Sequence, residues 1–212
     1  MKKPLAGIIN ISINNILSIQ RALEYVGFDT IIINEYKNVK YFDLVVLPGV
    51  GAFHEAIKIL KDTKLLNSVE QALEKKKNFL AICLGLQLLF DESEEFGITK
   101  GISFFKGRVE NFNKYKVEKE TFIGWNKVNF DTKKKLFENK SIENDLSESA
   151  FYFVHSYFAK SLIKDTEVGI SSNGNVTFSS IIKKDNVIAC QFHPEKSGKT
   201  GLQFLKNVYI NL

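Results

Sequence analysis

The first 83 residues alternate between two patterns. "LAGIIN" (5–10), "DTIIIN" (29–34), "FDLVVLPG" (42–49) and "NFLAIC" (78–83) are short, nearly continuous, β-branched apolar runs. Continuity of this kind marks strands covered on both faces, as in a parallel sheet. Between the first two lies "NNILSIQRALEYVG" (14–27), where Ile16, Ile19, Leu23 and Val26 recur at helical spacing and Gly27 supplies a stop. "LLNSVEQALEKKK" (65–77) predicts a second helix, and "AICLGLQLLF" (81–90) predicts a strand turning sharply into an amphipathic helix. After about residue 100 the pattern changes. "ISFFKGRVENF" (102–112), "TFIGWNKVNF" (121–130), "SAFYFVHSYF" (149–158), "VTFSSIIKK" (176–184) and "NVIACQFHP" (186–194) read as aromatic-rich strands with polar turns, before a last helix over about 197–210. The expected fold is α/β: an open, largely parallel sheet with helices on both faces and antiparallel strands added in the C-terminal half. No linker, repeat or low-complexity tract interrupts it, so residues 1–212 are expected to form one domain.

Composition narrows the function classes. The net charge is +5, but acidic residues interrupt most lysine runs and no aromatic–basic platform accompanies them. These runs read as solvated helix faces, not as a nucleic-acid site. Two cysteines give neither a disulfide framework nor paired metal-ligand spacing, which suits a reducing compartment. "MKKPLAGIINISI" mimics a signal peptide but lacks a small-residue cleavage site, and it reads as the first strand. No apolar stretch approaches the roughly 20 residues that span a bilayer. The expected setting is cytoplasmic, with no membrane, metal or cofactor.

Cys83 changes the picture. The run Ala81-Ile82-Cys83-Leu84-Gly85 has the small-x-nucleophile-x-Gly spacing that lets a strand turn abruptly into a helix, with the corner side chain projecting into a pocket. The following helix N-terminus favours a thiolate and offers the Leu84 N–H to a developing oxyanion. Taken alone, the segment fits a buried structural cysteine equally well. A thiol nucleophile also needs a base, and the base needs an orienter. Of three histidines, His54 reads as a surface residue at a helix start, and His155 ends a strand where it could line a pocket. His193 in "QFHPEKSG" has Glu195 two positions on, which in an extended segment shares its face. His-x-Glu supplies two groups of the sort a metal would use and no third nearby, so an orienter is the better reading for Glu195.

With these residues in place, "LPGVGAF" (47–53), "AICLGLQLLF" (81–90), "GWN" (124–126), "YFVHSY" (152–157) and "QFHPEKSG" (191–198) resemble the triad-type glutamine amidotransferases. Within them the chain is most similar to the glutaminase subunits of imidazole glycerol phosphate synthesis. The resemblance runs from residue 5 to the C-terminus. It implies a flavodoxin-like fold, Cys83 as nucleophile, His193 as base and acid, and Glu195 as orienter. It implies Val50 N–H in "PGVG" as a second oxyanion donor beside Leu84. It further implies glutamine contacts from Gly49, Gln87, Glu95, His155, Ser156 and Tyr157, and partner contacts from Asn15, Trp125 and Lys196. Read as bare sequence, Gln87 is equally a solvent-facing helix residue, and Glu95 an ordinary acidic helix end. Two departures stand out: the first loop reads "NISINNILS" (10–18) where the family is rich in glycine, and Phe122-Ile123 precede "GWN".

The resemblance implies hydrolysis of L-glutamine to glutamate and ammonia, with the ammonia passed to a (β/α)8 cyclase subunit in histidine biosynthesis. The unusual first loop leaves open a paralogous glutaminase serving another amidating enzyme, such as a sugar-modifying one. A cysteine peptidase or γ-glutamyl hydrolase would need an open groove and no partner. A non-catalytic binding module would make the complete triad a coincidence.

Overall fold

A computed structural model of the protein describes residues 2–11, 16–117, 119–131, 133–137 and 149–212. The strands among them are β1 (Leu5–Ile9), β2 (Asp29–Ile33), β3 (Leu44–Gly49), β4 (Asn78–Cys83), β5 (Glu92–Ser93), β6 (Thr99–Lys100), β7 (Gly107–Asn111), β8 (Phe122–Lys127), β9 (Asn129–Phe130), β10 (Ala150–His155), β11 (Tyr157–Ser161), β12 (Glu167–Asn173), β13 (Val176–Lys184) and β14 (Val187–Cys190). The helices are α1 (Ile16–Val26), α2 (Phe53–Asp62), α3 (Leu65–Glu74), α4 (Leu84–Leu88) and α5 (Gly198–Ile210).

The main sheet runs β2-β1-β3-β4-β14-β13-β12-β9. Its first five strands pair in parallel, and β13, β12 and β9 continue it antiparallel. Side-chain alternation explains why the early strands are apolar throughout. Leu44 and Val46 of β3 join α1 and α5 on one face, through Ile19, Leu23, Phe204 and Leu205. Val45 and Leu47 join α2 and α3 on the other, through Ala56, Leu60, Val69 and Ala72. Each fully buried aliphatic or aromatic side chain of this kind contributes roughly 1.5–3 kcal/mol.

The antiparallel addition of β13, β12 and β9 is as the sequence led one to expect, but other strands of the second half leave the main sheet. β10 and β8 form a separate pair, and β11-β7-β5-β6 form a third sheet. Residues 149–158 are not one strand: β10 ends at His155, and the chain leaves for another sheet through Ser156, whose carbonyl accepts from Phe112 N. Residues 121–130 divide in the same way, β8 pairing with β10 and β9 with β12. Residues 102–105 are not a strand because their N–H groups go elsewhere: Ile102, Ser103 and Phe105 donate to the carbonyls of Leu88, Phe90 and Leu89 at the end of α4. β12 has no apolar run to announce it; Ser171 and Asn173 are among its buried residues, and the Ser171 hydroxyl donates to the Lys127 carbonyl. α4 is five residues long and buried all round, so it is not amphipathic.

Candidate active site

The C-terminal ends of β3 and β4 lie side by side, with Gly49 opposite Cys83. Cys83 is the corner between β4 and α4, and its backbone sits at φ 53°, ψ −109°, outside the regions open to ordinary L-residues. Gly85 makes the turn possible. A Cβ there would lie 1.9 Å from the Leu47 carbonyl oxygen, so any side chain would push α4 off β3. The thiol is thereby aimed into a cavity of about 270 Å³ lined by Val50, Gly51, Cys83, Leu84, Gln87, Glu95, Val154, His155, Ser156 and Tyr157. Gly51 takes a positive φ of 108°, placing a flexible joint immediately after Val50. Gly49 has a different reason: a Cβ there would press within 3.0 Å of Ile11 and Leu84.

β14 lies beside β4, so the segment leaving it passes the thiol. His193 and Glu195 are paired, but not along an extended strand as the spacing suggested. Pro194–Lys196 is a turn of 3-10 helix with His193 as its extended N-cap, and this turn brings Glu195 back to the ring. His193 Nδ1 lies 2.8 Å from Glu195 Oε1, and both side chains are almost wholly buried. The turn is tied to β10: His193 N donates to the Tyr152 carbonyl, and Ser197 Oγ accepts from Tyr152 N and donates to the His193 carbonyl. Burial opposes a charge on the imidazole, but the Cys83 sulfur and Glu195 outweigh it and raise the His193 pKa to about 10. At neutral pH the arrangement therefore favours a proton on His193 facing the sulfur. Cys190 differs sharply. Burial drives its pKa well up, with Glu195 and Cys83 adding to the effect, and its thiol points at the Phe192 carbonyl 3.5 Å away.

His155 is 7% exposed, and its Nδ1 lies 2.9 Å from the Tyr157 carbonyl. Burial lowers its pKa to about 3 despite that carbonyl, so the ring is neutral, with the proton on Nδ1.

Comparison with known proteins agrees with this geometry. The model of the family "Glutamine amidotransferase class-I" matches residues 6–212. The chain belongs to the class-I glutamine amidotransferases. Such a chain is an enzyme, a glutamine-hydrolysing subunit. One relative is the imidazole glycerol phosphate synthase subunit HisH of Caldanaerobacter subterraneus subsp. tengcongensis, 43% identical over 203 residues that cover 96% of each chain. Another is the HisH subunit of Aquifex aeolicus, 40% identical, covering 94% of this chain and 93% of the relative. Among solved structures, PurLQS from Thermotoga maritima superposes with a TM-score of 0.71 at 16% identity, covering 99% of both chains. A glutamine amidotransferase from Thermotoga maritima gives 0.63 at 18%, covering 97% of this chain and 82% of the other. Both share its flavodoxin-like fold.

Within this amidotransferase the expected residues fall in three groups. Val50, Leu84, Gln87, Glu95, His155, Ser156 and Tyr157 all line the Cys83 cavity, and Gly49 adjoins it in the sheet. Gln87 is not a solvent-facing residue: it is 5% exposed, and its Nε2 donates to the Tyr157 carbonyl at 2.8 Å. Glu95 is not a helix end either. It sits in the turn after β5, and its Oε2 accepts from Phe53 N at 2.6 Å, capping α2 from across the fold. Trp125 is 57% exposed on β8, edge-on to Tyr152, and Lys196 is exposed on the turn that carries Glu195. Asn15 lies outside the described residues. His54 is a half-exposed surface residue near Glu55, as the sequence suggested.

One buried polar group beside Cys83 was not singled out from the sequence. Gln191, wholly buried, reaches Cys83 through its amide nitrogen. It opens the motif "QFHPEKSG", two residues before His193, and that i, i+2 relation was the available signal.

Proposed function

We propose that the chain is the glutaminase subunit of an imidazole glycerol phosphate synthase, hydrolysing L-glutamine at Cys83 for a (β/α)8 cyclase partner in the cytoplasm. The observation that carries this is the buried His193–Glu195 pair, 2.8 Å apart, held against a thiol at a strained strand–helix corner. The HisH names of relatives 35–43% identical supply the pathway.

The mechanism follows from where the protons stand. Glutamine enters the cavity with its amino-acid end toward His155, Ser156 and Tyr157. Gln87 commits its amide hydrogens to Tyr157 and Gln191, which leaves its carbonyl oxygen to accept from the substrate. The Cys83 thiolate attacks the carboxamide carbon. The resulting oxyanion is met by Leu84 N–H and, when the Gly49–Gly51 segment turns it inward, by Val50 N–H. His193 gives its proton to the leaving nitrogen, ammonia departs, and a γ-glutamyl thioester remains. His193, now neutral, takes a proton from water as the hydroxyl adds to the thioester carbon. Collapse releases glutamate and regenerates the thiolate–imidazolium pair.

This chain supplies ammonia, and the partner supplies the acceptor. An apolar ridge beside the cavity suits that docking: Trp125 and Ile123, each 57% exposed, are opposite Tyr152 and Val154 across the β8–β10 pair. Lys196 lies exposed near it, since a side chain at Gly198 would sit 3.9 Å from Trp125. Partner contact favours the inward Val50 peptide by binding that state better. Loss of one oxyanion donor lowers the rate by roughly 10²–10³. Glutamate release is therefore expected to be slow for the isolated chain and to rise about 100-fold with the cyclase partner and its acceptor. Full activity in isolation would refute this gating and favour a stand-alone hydrolase.

A further inference from the structure

Four buried groups form one hydrogen-bond chain ending on the nucleophile. The Tyr157 carbonyl oxygen can only accept, and it receives His155 Nδ1 at 2.9 Å and Gln87 Nε2 at 2.8 Å. That contact fixes which end of the Gln87 amide is nitrogen. The same Nε2 lies 3.2 Å from Gln191 Oε1, so the Gln191 oxygen faces Gln87. The Gln191 nitrogen then faces Cys83 Sγ, at 3.6 Å. Reversing the Gln191 amide would set nitrogen against nitrogen at Gln87 and oxygen against the sulfur. The polarity of the whole chain is thus dictated by one main-chain carbonyl.

The worth of such an arrangement depends on how good each partner is. Gln191 is fully buried and Gln87 nearly so, and a buried amide is unfavourable beside an apolar residue of the same shape unless its hydrogen bonds are made. A neutral thiol is a weak acceptor, whereas a thiolate takes a strong, charge-assisted bond from an N–H. We propose that the Gln191 amide stabilises the Cys83 thiolate directly, and that Gln87 acts as a positioning residue, locking the Gln191 donor toward the sulfur by way of Tyr157. This rests on Cys83 being the nucleophile. In that role Gln191 gives the thiolate a hydrogen bond that does not use the His193 proton, leaving His193 free to deliver that proton to the departing nitrogen. It also links the nucleophile to the 155–157 segment, because Gln87 bonds to both Gln191 and the Tyr157 carbonyl.

The titratable groups around the sulfur are His193 and Glu195 on the turn after β14, Cys190 on β14, and His155, Tyr157 and Glu95 at the cavity wall. None is altered by changing Gln191. The test follows iodoacetamide alkylation of each cysteine by peptide mass mapping over about pH 5–10, in the wild type and in Gln191→Met, Gln191→Glu and Gln87→Leu. In the wild type Cys83 reacts and buried Cys190 does not, which checks the reading of the nucleophile. Gln191→Met is expected to move the Cys83 midpoint up by about one pH unit, a roughly tenfold slower reaction on the rising limb. Gln191→Glu, of the same shape but anionic, moves it further, and Gln87→Leu moves it the same way by less. With glutamine and partner, Gln191→Met lowers kcat about tenfold with KM within about twofold. Unchanged Cys83 midpoints in both Gln191 variants, with Cys190 still protected, overturn the proposal and leave Cys83 as nucleophile. Equal alkylation of both cysteines in the wild type overturns the nucleophile itself. If Cys190 becomes reactive because a Gln191 variant unfolds, Gln87→Leu decides: an unshifted midpoint there overturns the proposal.

Discussion

Cys83 is held at φ 53°, ψ −109°, a conformation that costs an L-residue of order 1–3 kcal/mol and a glycine much less. Replacing it separates chemistry from strain. Cys83→Ala and Cys83→Gly should both lose glutamine turnover, but Cys83→Gly should be the more stable of the two by about 1–3 kcal/mol in urea titrations. Equal stability would mean that the corner is unstrained. His155 makes a second, pH-dependent contribution. Burial takes its pKa from 6.5 to about 3, with the Tyr157 carbonyl opposing and His193 adding to the shift. A base depressed on folding stabilises fully above pH 6.5, and that contribution is lost as the pH falls toward 3. His193, raised to about 10, has the opposite sign: its contribution is complete below pH 6.5 and is lost as the pH rises through 10. His155→Phe, set among Phe112, Phe122, Phe153 and Phe178, should therefore flatten the loss of stability between pH 6.5 and 3. An acid limb as steep as that of the wild type would contradict this. The Cys83 corner and the His193–Glu195 pairing could be read because cysteines and histidines are few and Glu195 sits at a telling spacing from His193. The contact of Gln191 with Cys83 could not, because it depends on which strand lies beside β4, a tertiary fact.

At the scale of elements, the site depends on two close approaches of backbone to backbone. Gly85 brings α4 onto β3. Gly201 does the same for α5 against the turn carrying Glu195, where a Cβ would lie 1.8 Å from the Pro194 carbonyl oxygen. Gly85→Ala should cost about 3 kcal/mol, since backbone cannot yield as a side-chain tip would, and it should slow turnover by moving the corner. A calorimetric melt matching the wild type would show that α4 shifts freely. The strands of the parallel half could be read from sequence because both of their faces are buried, so the apolar runs are unbroken. The antiparallel half obscures itself. Its chain changes sheet at Ser156 and again between β8 and β9, and apolar or aromatic residues resume at once after both breaks, at Tyr157-Phe158 and at Val128, so neither break reads as a turn. β12 uses small polar residues on its buried positions, so hydrophobic patterning carries no trace of it. The five-residue α4 inherits a long apolar run because it is enclosed on all sides.

The whole molecule divides into a hydrophobic frame and one reactive rim. The frame buries both faces of the main sheet. The rim gathers the ends of β3, β4 and β10 with the turn after β14, and so brings Val50, Cys83, Val154 and His193 to one side beside the Trp125 ridge. Among the described residues no helix is long and apolar enough to cross a membrane. The central claim is that glutamine passes through a covalent thioester on Cys83, with His193 and Glu195 managing the proton. Acid quenching during glutamine turnover in the presence of the cyclase partner, followed by peptide mass mapping, tests it most directly. A single γ-glutamyl group is expected on the peptide containing Cys83, none on that containing Cys190, and neither adduct nor turnover in Cys83→Ala. Turnover that persists in Cys83→Ala, or an adduct on Cys190, would contradict it.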